Sequence, residues 1–542
     1  MNDKHDPMAP EGKVNPIQTD YEVGQDNIVA KFGPLGLDIH NPVFAISALA
    51  IIAFVVMTLT FKNSVEPIFA SVLSWITTNM DWFFISAGNI LVLACIALAI
   101  SPLGKVRLGG TKATPDYSYT AWFSMLFAAG MGIGLMFYGV SEPLTHFGTA
   151  MGGVTMEDGV RTDWAPLGGA VGDAVGAQRL AMAATIYHWG LHPWAIYAIL
   201  ALGLALFSYN KGLPLTIRSV FYPLLGERIW GWPGHVIDIL AILSTMFGLA
   251  TSLGLGASQA AAGLHYLFDI PLGSTTQIVL VIGITAIALT SVLAGLDAGV
   301  KRLSEINMML AALLLVFVIL VGPTLAIVTG FFSNIGAYVQ YLPALANPFG
   351  RPDANYSQGW TAFYWAWWIS WSPFVGMFIA RVSRGRTVRE FLISVLIVPS
   401  LACILWMTVF GGTAITQLVA DGYQAAANAA LPLQIFLMLD ALPFAQISSF
   451  IAIVLVVVFF VTSSDSGSLV IDVIAAGGKV DAPTPQRVFW CLFEGLVAIA
   501  LILGGGLVAL QAMAVSTGLP FTIVLLVATV AVVKGLMSEP RG

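Results

Sequence analysis

Charge is what this sequence has least of. Of 542 residues only 10% are charged while 58% are hydrophobic, and the mean hydropathy of +0.86 lies well beyond what a soluble domain needs to fill its core. Water is therefore not its main solvent. The formal net charge of −6 is small for this length and gives no footing for nucleic acid as a partner. Cysteine is nearly absent as well. Cys95, Cys403 and Cys491 are odd in number and lie inside apolar segments, which excludes a complete disulfide framework and suggests no metal site. Ahead of Asn41 there is no apolar run of the length a cleavable signal peptide needs, and Asp and Lys are mixed there. Residues 1–42 are expected to be a flexible cytoplasmic tail.

What the chain has in plenty is uninterrupted apolar sequence. Runs long enough to cross about 30 Å of hydrocarbon as helix occur twelve times, near 43–62, 82–101, 119–140, 180–207, 235–264, 276–295, 307–330, 360–380, 391–414, 447–474, 486–506 and 517–535. Continuous rather than alternating runs exclude strands as the spanning element, since open sheet edges cannot be satisfied in lipid. The reading is an all-α membrane protein of 12 transmembrane helices, with a transporter domain over residues 43–535 and a short cytoplasmic tail at 536–542. With the N-terminus inside, 19 of the 23 Lys and Arg fall on the cytoplasmic side and only Lys62, Arg161, Arg179 and Arg351 outside; the positive-inside rule then places both termini in the cytoplasm. Arg381, Arg384, Arg386 and Arg389 read as a topology anchor, with anionic headgroups as the alternative ligand. Residues 331–345, too short to cross after the seventh span, read as an interfacial helix.

Two spans carry interruptions. The third contains Gly130, Gly132 and Gly134, and the eighth contains Ser372 followed by Pro373. Interruptions five spans apart fit an inverted repeat of five helices whose first members break at midplane, beside a ligand. Close helix packing by glycine is the plainer explanation. The fifteen tryptophans are unevenly placed. Trp360, Tyr364, Trp367, Trp371, Phe374 and Phe378 form a stripe at helical spacing, which in most helices is core. An aromatic face is also the natural partner of a quaternary ammonium, which has no hydrogen to donate; a desolvated cation–π contact contributes about 2 kcal/mol. The intramembrane ionisable residues Glu142, His188, His192, Asp238, Asp465 and Glu494 are functional candidates by default, yet none has a close basic partner in sequence and no third ligand stands at metal spacing near the histidines. Asp238, Asp465 and Glu494 are expected to bond helix ends or hydroxyls, and the histidines to be packing residues. In span ten, residues 459–466 run Phe-Phe-Val-Thr-Ser-Ser-Asp-Ser, a hydroxyl-rich turn suited to a hard monovalent cation or simply bonded to its own helix.

Residues 128–138, 188–197 and 363–386 make the chain resemble the betaine/choline/carnitine transporters, and within them the sodium-coupled betaine carriers, over roughly residues 43–534. The resemblance implies a LeuT-like fold of two inverted five-helix repeats, spans 3–7 and 8–12, preceded by two N-terminal helices, and a homotrimer in the bacterial inner membrane. It implies a substrate box of Trp189, Trp194, Tyr197 and Trp368. Trp371 and Phe378 would line the cytoplasmic exit, with Trp365 and Trp367 near the pathway. The coupling ion would be sodium, held by Ala128 and Met131 through backbone oxygens and by Phe459, Thr462 and Ser463. A second sodium site would use Thr245 and Phe374, but the threonine expected four residues after Thr245 is Leu249 here. Carnitine exchangers of the family place an arginine in span five, absent here, and its proton-coupled choline carriers have an aspartate at the position of Gly134, so a zwitterion is expected over a bare cation. Relatives that sense osmotic stress carry a long basic C-terminal extension; its absence leads to an expectation of little osmotic activation.

The expected activity is import of glycine betaine or a similar zwitterion with sodium, choline being the alternative substrate, and no other cofactor. A channel would need charge rings or a carbonyl filter. An intramembrane enzyme using Ser463 or Ser464 with Asp465 would need a base near its nucleophile. Neither signature is visible, and no enzyme activity is expected.

Overall fold

A computed structural model of the chain describes residues 9–32, 35–130, 132–294 and 297–541. Strands β1 (Asn27–Phe32) and β2 (Leu35–His40) pair antiparallel, Asn27 facing His40. Helices α1 (Val43–Thr60) and α2 (Lys62–Ile100) precede a pair, α3 (Tyr119–Gly130) and α4 (Ile133–Gly152). A small hairpin of β3 (Met156–Glu157) and β4 (Val160–Arg161) leads to α5 (Ala174–Trp189) and α6 (Leu191–Ala205), and a short α7 (Tyr222–Leu225) to α8 (Trp232–Phe268). Then follow α9 (Ser274–Ala294), α10 (Asp297–Val321), α11 (Thr324–Leu345) and the single turn α12 (Ala354–Tyr356). The second half is α13 (Ala362–Arg381), α14 (Val388–Ala420), the short α15 (Gln434–Asp440), α16 (Ala445–Ala475), α17 (Thr484–Gly505) and α18 (Leu507–Met537).

Among the described residues, eleven helices are long and apolar enough to cross a membrane, or twelve with α3 and α4 taken as one span bent by 64°. That set includes α11 and leaves out α13, whose four tryptophans and one tyrosine lower its hydropathy although most of it is buried. The chain ends decide which of the two crosses. Asn15 Nδ2 donates to the Ser538 carbonyl at 3.2 Å, and Lys211 Nζ reaches both the Asn15 carbonyl at 2.9 Å and Glu539 at 2.5 Å. Both ends thus lie on one face, which requires an even number of crossings. α13 packs against α6, α8, α18 and α2 in the middle of the bundle, so α11 is the helix that does not cross. The seventh span accordingly stops at Val321, before Gly322 and Pro323, rather than near residue 330.

The expected interruption of the third span is present as the bend between α3 and α4, but that of the eighth is not. Pro373 does not break α13: the Ile369 carbonyl that it leaves without an N–H partner is taken by the Ser372 hydroxyl at 2.7 Å. A break the glycine pattern did not signal lies instead in span four, at Gly190 between α5 and α6. There a Cβ would stand 2.8 Å from the Ile186 carbonyl, and the Tyr338 hydroxyl meets the freed Leu191 N–H at 3.2 Å.

Residues 9–40 are no free tail. Glu11 pairs with Arg384 at 2.7 Å, Asp38 with Lys479 at 2.5 Å, and Asn27 Nδ2 donates to the Ala476 carbonyl. The segment is a strap across the face carrying both ends. The arginine cluster serves that face too: Arg384 also pairs with Asp116 at 3.1 Å, and Arg386 lies over the Tyr119 and Trp122 rings at 4.1 and 4.5 Å. Both are buried, which leaves them no reach to lipid headgroups.

Candidate functional site: an aromatic box on a broken helix

The break at Gly190 sets up the site. In a continuous helix the Trp189 carbonyl would accept from residue 193, but Pro193 has no N–H. Trp194 Nε1 takes that carbonyl instead at 3.3 Å, and Trp368 Nε1 takes the neighbouring His188 carbonyl at 2.9 Å. Two indoles are thereby oriented by the backbone of the break. The four rings then close edge to face: Trp189 against Trp368 at 4.8 Å between centroids, Trp368 against Tyr197 at 6.3 Å, and Tyr197 against Trp194 at 5.4 Å, with interplanar angles of 70–81°. All four are buried, Trp368 the most exposed at 9%. Two surface depressions, around Trp82 and Phe349 and along Ser71, Ser74 and Trp75 of α2, lie elsewhere.

The stripe on α13 has a different task from the box. Tyr364 donates to Glu142, Trp367 Nε1 to the Ser252 hydroxyl and Trp371 Nε1 to the Gly248 carbonyl, so this face locks α13 onto α4 and α8. Trp367 also stacks on Trp368 at 5.0 Å. Trp371 and Phe374 are in contact at 5.4 Å, and Phe378 is 37% exposed near the helix end. Trp365 is not brought to the box: it stacks on His192 at 5.4 Å and lies so close to α2 that a Cβ on Gly88 would stand 2.6 Å from its Nε1. Gly134 does reach it, since a Cβ there would be 2.7 Å from Trp189 and 2.9 Å from Trp367.

Behind Trp189 lies a buried cluster that sequence spacing concealed. Glu142 Oε2 accepts from Trp189 Nε1 at 2.8 Å and from the Tyr364 hydroxyl at 2.6 Å, while Oε1 contacts His188 Nδ1 at 2.6 Å and His146 Nε2 at 3.2 Å. Its partners stand 46, 47 and 222 residues away in the chain and, for His146, one turn along α4. Contrary to the spacing in sequence, Glu142, His146 and His188 bring one ligand atom each within 4.8 Å of one another; here those atoms bond one another, and Glu142 holds the box.

Comparison with known proteins now bears on this geometry. The profile of the BCCT, betaine/carnitine/choline family transporter matches residues 42–541. The chain belongs to this family. A glycine betaine/proline/choline transporter of Vibrio parahaemolyticus is 71% identical, over 98% of this chain and 96% of that protein. Glycine betaine transporter 1 of the same organism is 55% identical over 96% and 97%, and the glycine betaine transporter OpuD of Bacillus subtilis 39% over 92% and 94%. Among solved structures, a manganese transporter of Eremococcus coleocola overlays at a TM-score of 0.42 and 15% identity, over 77% of this chain and 81% of that one. A multi-pass BCCT transporter, and no enzyme, is what these relatives describe.

The remaining candidate residues of this BCCT transporter fall as follows. Ala128 is on α3, Met131 lies outside the described residues, and Gly130 and Gly132 flank it at the α3–α4 break. Phe459, Thr462 and Ser463 are on α16, where the Thr462 hydroxyl turns back onto the Val458 and Phe459 carbonyls at 3.1 and 3.0 Å. The Thr245 hydroxyl bonds the Ala241 carbonyl at 2.7 Å, and Leu249 packs so tightly on α16 that a Cβ on Gly467 would meet it at 2.3 Å. The Thr251 hydroxyl donates to the Phe247 carbonyl at 2.8 Å or the Leu510 carbonyl at 2.9 Å. Of the carboxylates expected to bond hydroxyls and helix ends, Glu494 does so, while Asp238 and Asp465 also pair with arginines. Asp238 pairs with Arg218 at 2.5 Å and Asp465 with Arg487 at 2.6 Å, while Glu494 accepts from Ser464 at 3.0 Å. Ser464 thus meets a carboxylate rather than the histidine a nucleophile would need.

Proposed function

We propose that this BCCT transporter imports a quaternary-ammonium zwitterion, glycine betaine foremost, across the bacterial inner membrane, with both ends in the cytoplasm. The observation that carries the proposal is the box itself. Four buried rings, the three indole N–H groups among them committed elsewhere, present π faces, which suits a cation whose charge is shielded by methyl groups. The relatives named for glycine betaine support the same reading. Choline is the second substrate, favoured by the carboxylate of Glu142 behind one wall and by its mention in the name of the 71% identical relative.

The proposed coupling ion is sodium, held where α3 breaks from α4 and by Thr462 and Ser463 of α16; the proposed assembly is the family's homotrimer. A single site is favoured because Leu249 fills the space between α8 and α16 where a second would need an oxygen. Moving one charge inward gains about 2.3 kcal/mol per 100 mV, so one sodium suffices to accumulate a neutral zwitterion. Uptake of labelled betaine and choline into proteoliposomes, under a sodium or a proton gradient, tests this. Expected are a sodium Hill coefficient near one and loss of sodium activation on combining Thr462→Ala with Ser463→Ala. Full uptake without sodium under a proton gradient would sink the coupling assignment.

A further inference from the structure

We propose that Glu142 is the electrostatic base plate of the box, a positioning and specificity residue that selects for positive charge without touching the substrate. The proposal rests on the box reading above. Glu142 is wholly buried on α4, and as a carboxylate it can only accept hydrogen bonds. Four donors converge on it: the Trp189 indole and the Tyr364 hydroxyl on one oxygen, His188 and His146 on the other. Among the described residues no Lys or Arg forms an ion pair with it.

Two consequences follow from elementary electrostatics. The bond to Trp189 fixes the indole in its plane, so that its face stays toward Trp368, 4.8 Å away. A donor bonded to an anion also pushes electron density into its ring, which strengthens the negative π face on which a quaternary ammonium would rest. The charge itself lies one indole's width from that ammonium, in surroundings where opposite charges attract far more strongly than in water. The donor pair is shared across the walls: Tyr364 stacks toward Trp368 at 6.0 Å, so both rings respond to the same carboxylate. His188 bridges Glu142 through Nδ1 and the Thr361 hydroxyl, 2.9 Å away, through Nε2; an imidazole that donates to the one and accepts from the other adds no positive charge to the cluster.

The experiment compares binding of choline and of its uncharged carbon isostere, 3,3-dimethylbutan-1-ol, to the full-length protein in wild type, Glu142→Gln, Tyr364→Phe and Trp368→Leu. In wild type choline binds tighter than the isostere. Glu142→Gln is expected to weaken choline and glycine betaine on the order of tenfold and to leave the isostere unchanged, collapsing the preference for charge. Tyr364→Phe keeps both the ring and the carboxylate and is expected to retain that preference, so it carries the test if the Gln variant does not fold. Unchanged choline affinity in Glu142→Gln, an equal loss for choline and isostere, or loss of the preference in Tyr364→Phe each overturns the proposal. Trp368→Leu separates the two readings: if it weakens choline while Glu142→Gln does not, the box stands and the base plate falls; if neither weakens it, both fall.

Discussion

At the scale of single residues, the chemistry of the box was legible in sequence and its orientation was not. The abundance of aromatic faces points to a methylated cation, but helical spacing picks out the stripe from Trp360 to Phe378, and only the resemblance to a family singles out Trp189, Trp194, Tyr197 and Trp368. What holds them is invisible in a linear reading: a carbonyl freed by Pro193, a second freed at His188, and Glu142 drawn from another helix. Gly134 gains a sharper meaning from the structure. Any side chain there would run into Trp189 and Trp367, so the residue is small because the rings come that close. Gly134→Ala is therefore expected to displace Trp189 and weaken betaine binding on the order of tenfold while the protein remains folded. Unchanged affinity in a titration of the purified variant would show that the rings yield freely.

At the scale of the element, apolar run length found the spans, the glycines marked the break in the third, and the breaks in the fourth and eighth were misjudged. Length and composition alone decide whether a helix can cross lipid, which is why α1, α9 and α17 match the sequence reading closely. Breaks depend on whether a lost backbone bond finds another partner, and that is a matter of one hydroxyl. Ser372 repairs the gap left by Pro373 and keeps α13 straight enough to carry its stripe, whereas at Gly190 the partners come from other helices. Ser372→Ala is expected to cost about 1–3 kcal/mol by leaving a buried carbonyl unsatisfied. A thermal unfolding scan checks it, with a lower Tm expected; an unchanged Tm would mean that water or a neighbouring donor fills the place. The interfacial helix was sensed in sequence but began too late, because Gly322 and Pro323, and not residue 330, end the span before it.

At the scale of the whole molecule, the strap of residues 9–40 ties the two ends of the chain to the loops of both halves, and nothing in a polar stretch of sequence distinguishes such a strap from a free tail. Its hairpin buries His40 against Arg218 and His235, with Asp26 4.0 Å away; Arg218 Nη1 lies 3.4 and 3.3 Å from the two imidazoles and donates to them only while they are neutral. Burial first, and the Arg218 charge second, hold the His40 pKa down at about 3, against an unfolded value of about 6.5. The docked strap therefore binds fewer protons than the free one below that value: docking is fully stable above about pH 6.5 and weakens as pH falls toward 3. Hydrogen exchange of the hairpin amides, corrected for intrinsic rate, is expected to quicken between pH 7 and 5, and less so in His40→Gln. Equal protection at both pH values would contradict the docking account.

The central claim is that four buried rings, posed by a helix break, hold a quaternary ammonium. Calorimetric titration of glycine betaine into purified wild-type protein and Trp368→Leu tests it most directly. Removing one wall while keeping an apolar side chain is expected to forfeit about 2 kcal/mol, roughly thirtyfold in affinity, with the Tm little changed. Equal affinity in the two proteins, both folded, would place the substrate somewhere other than the box.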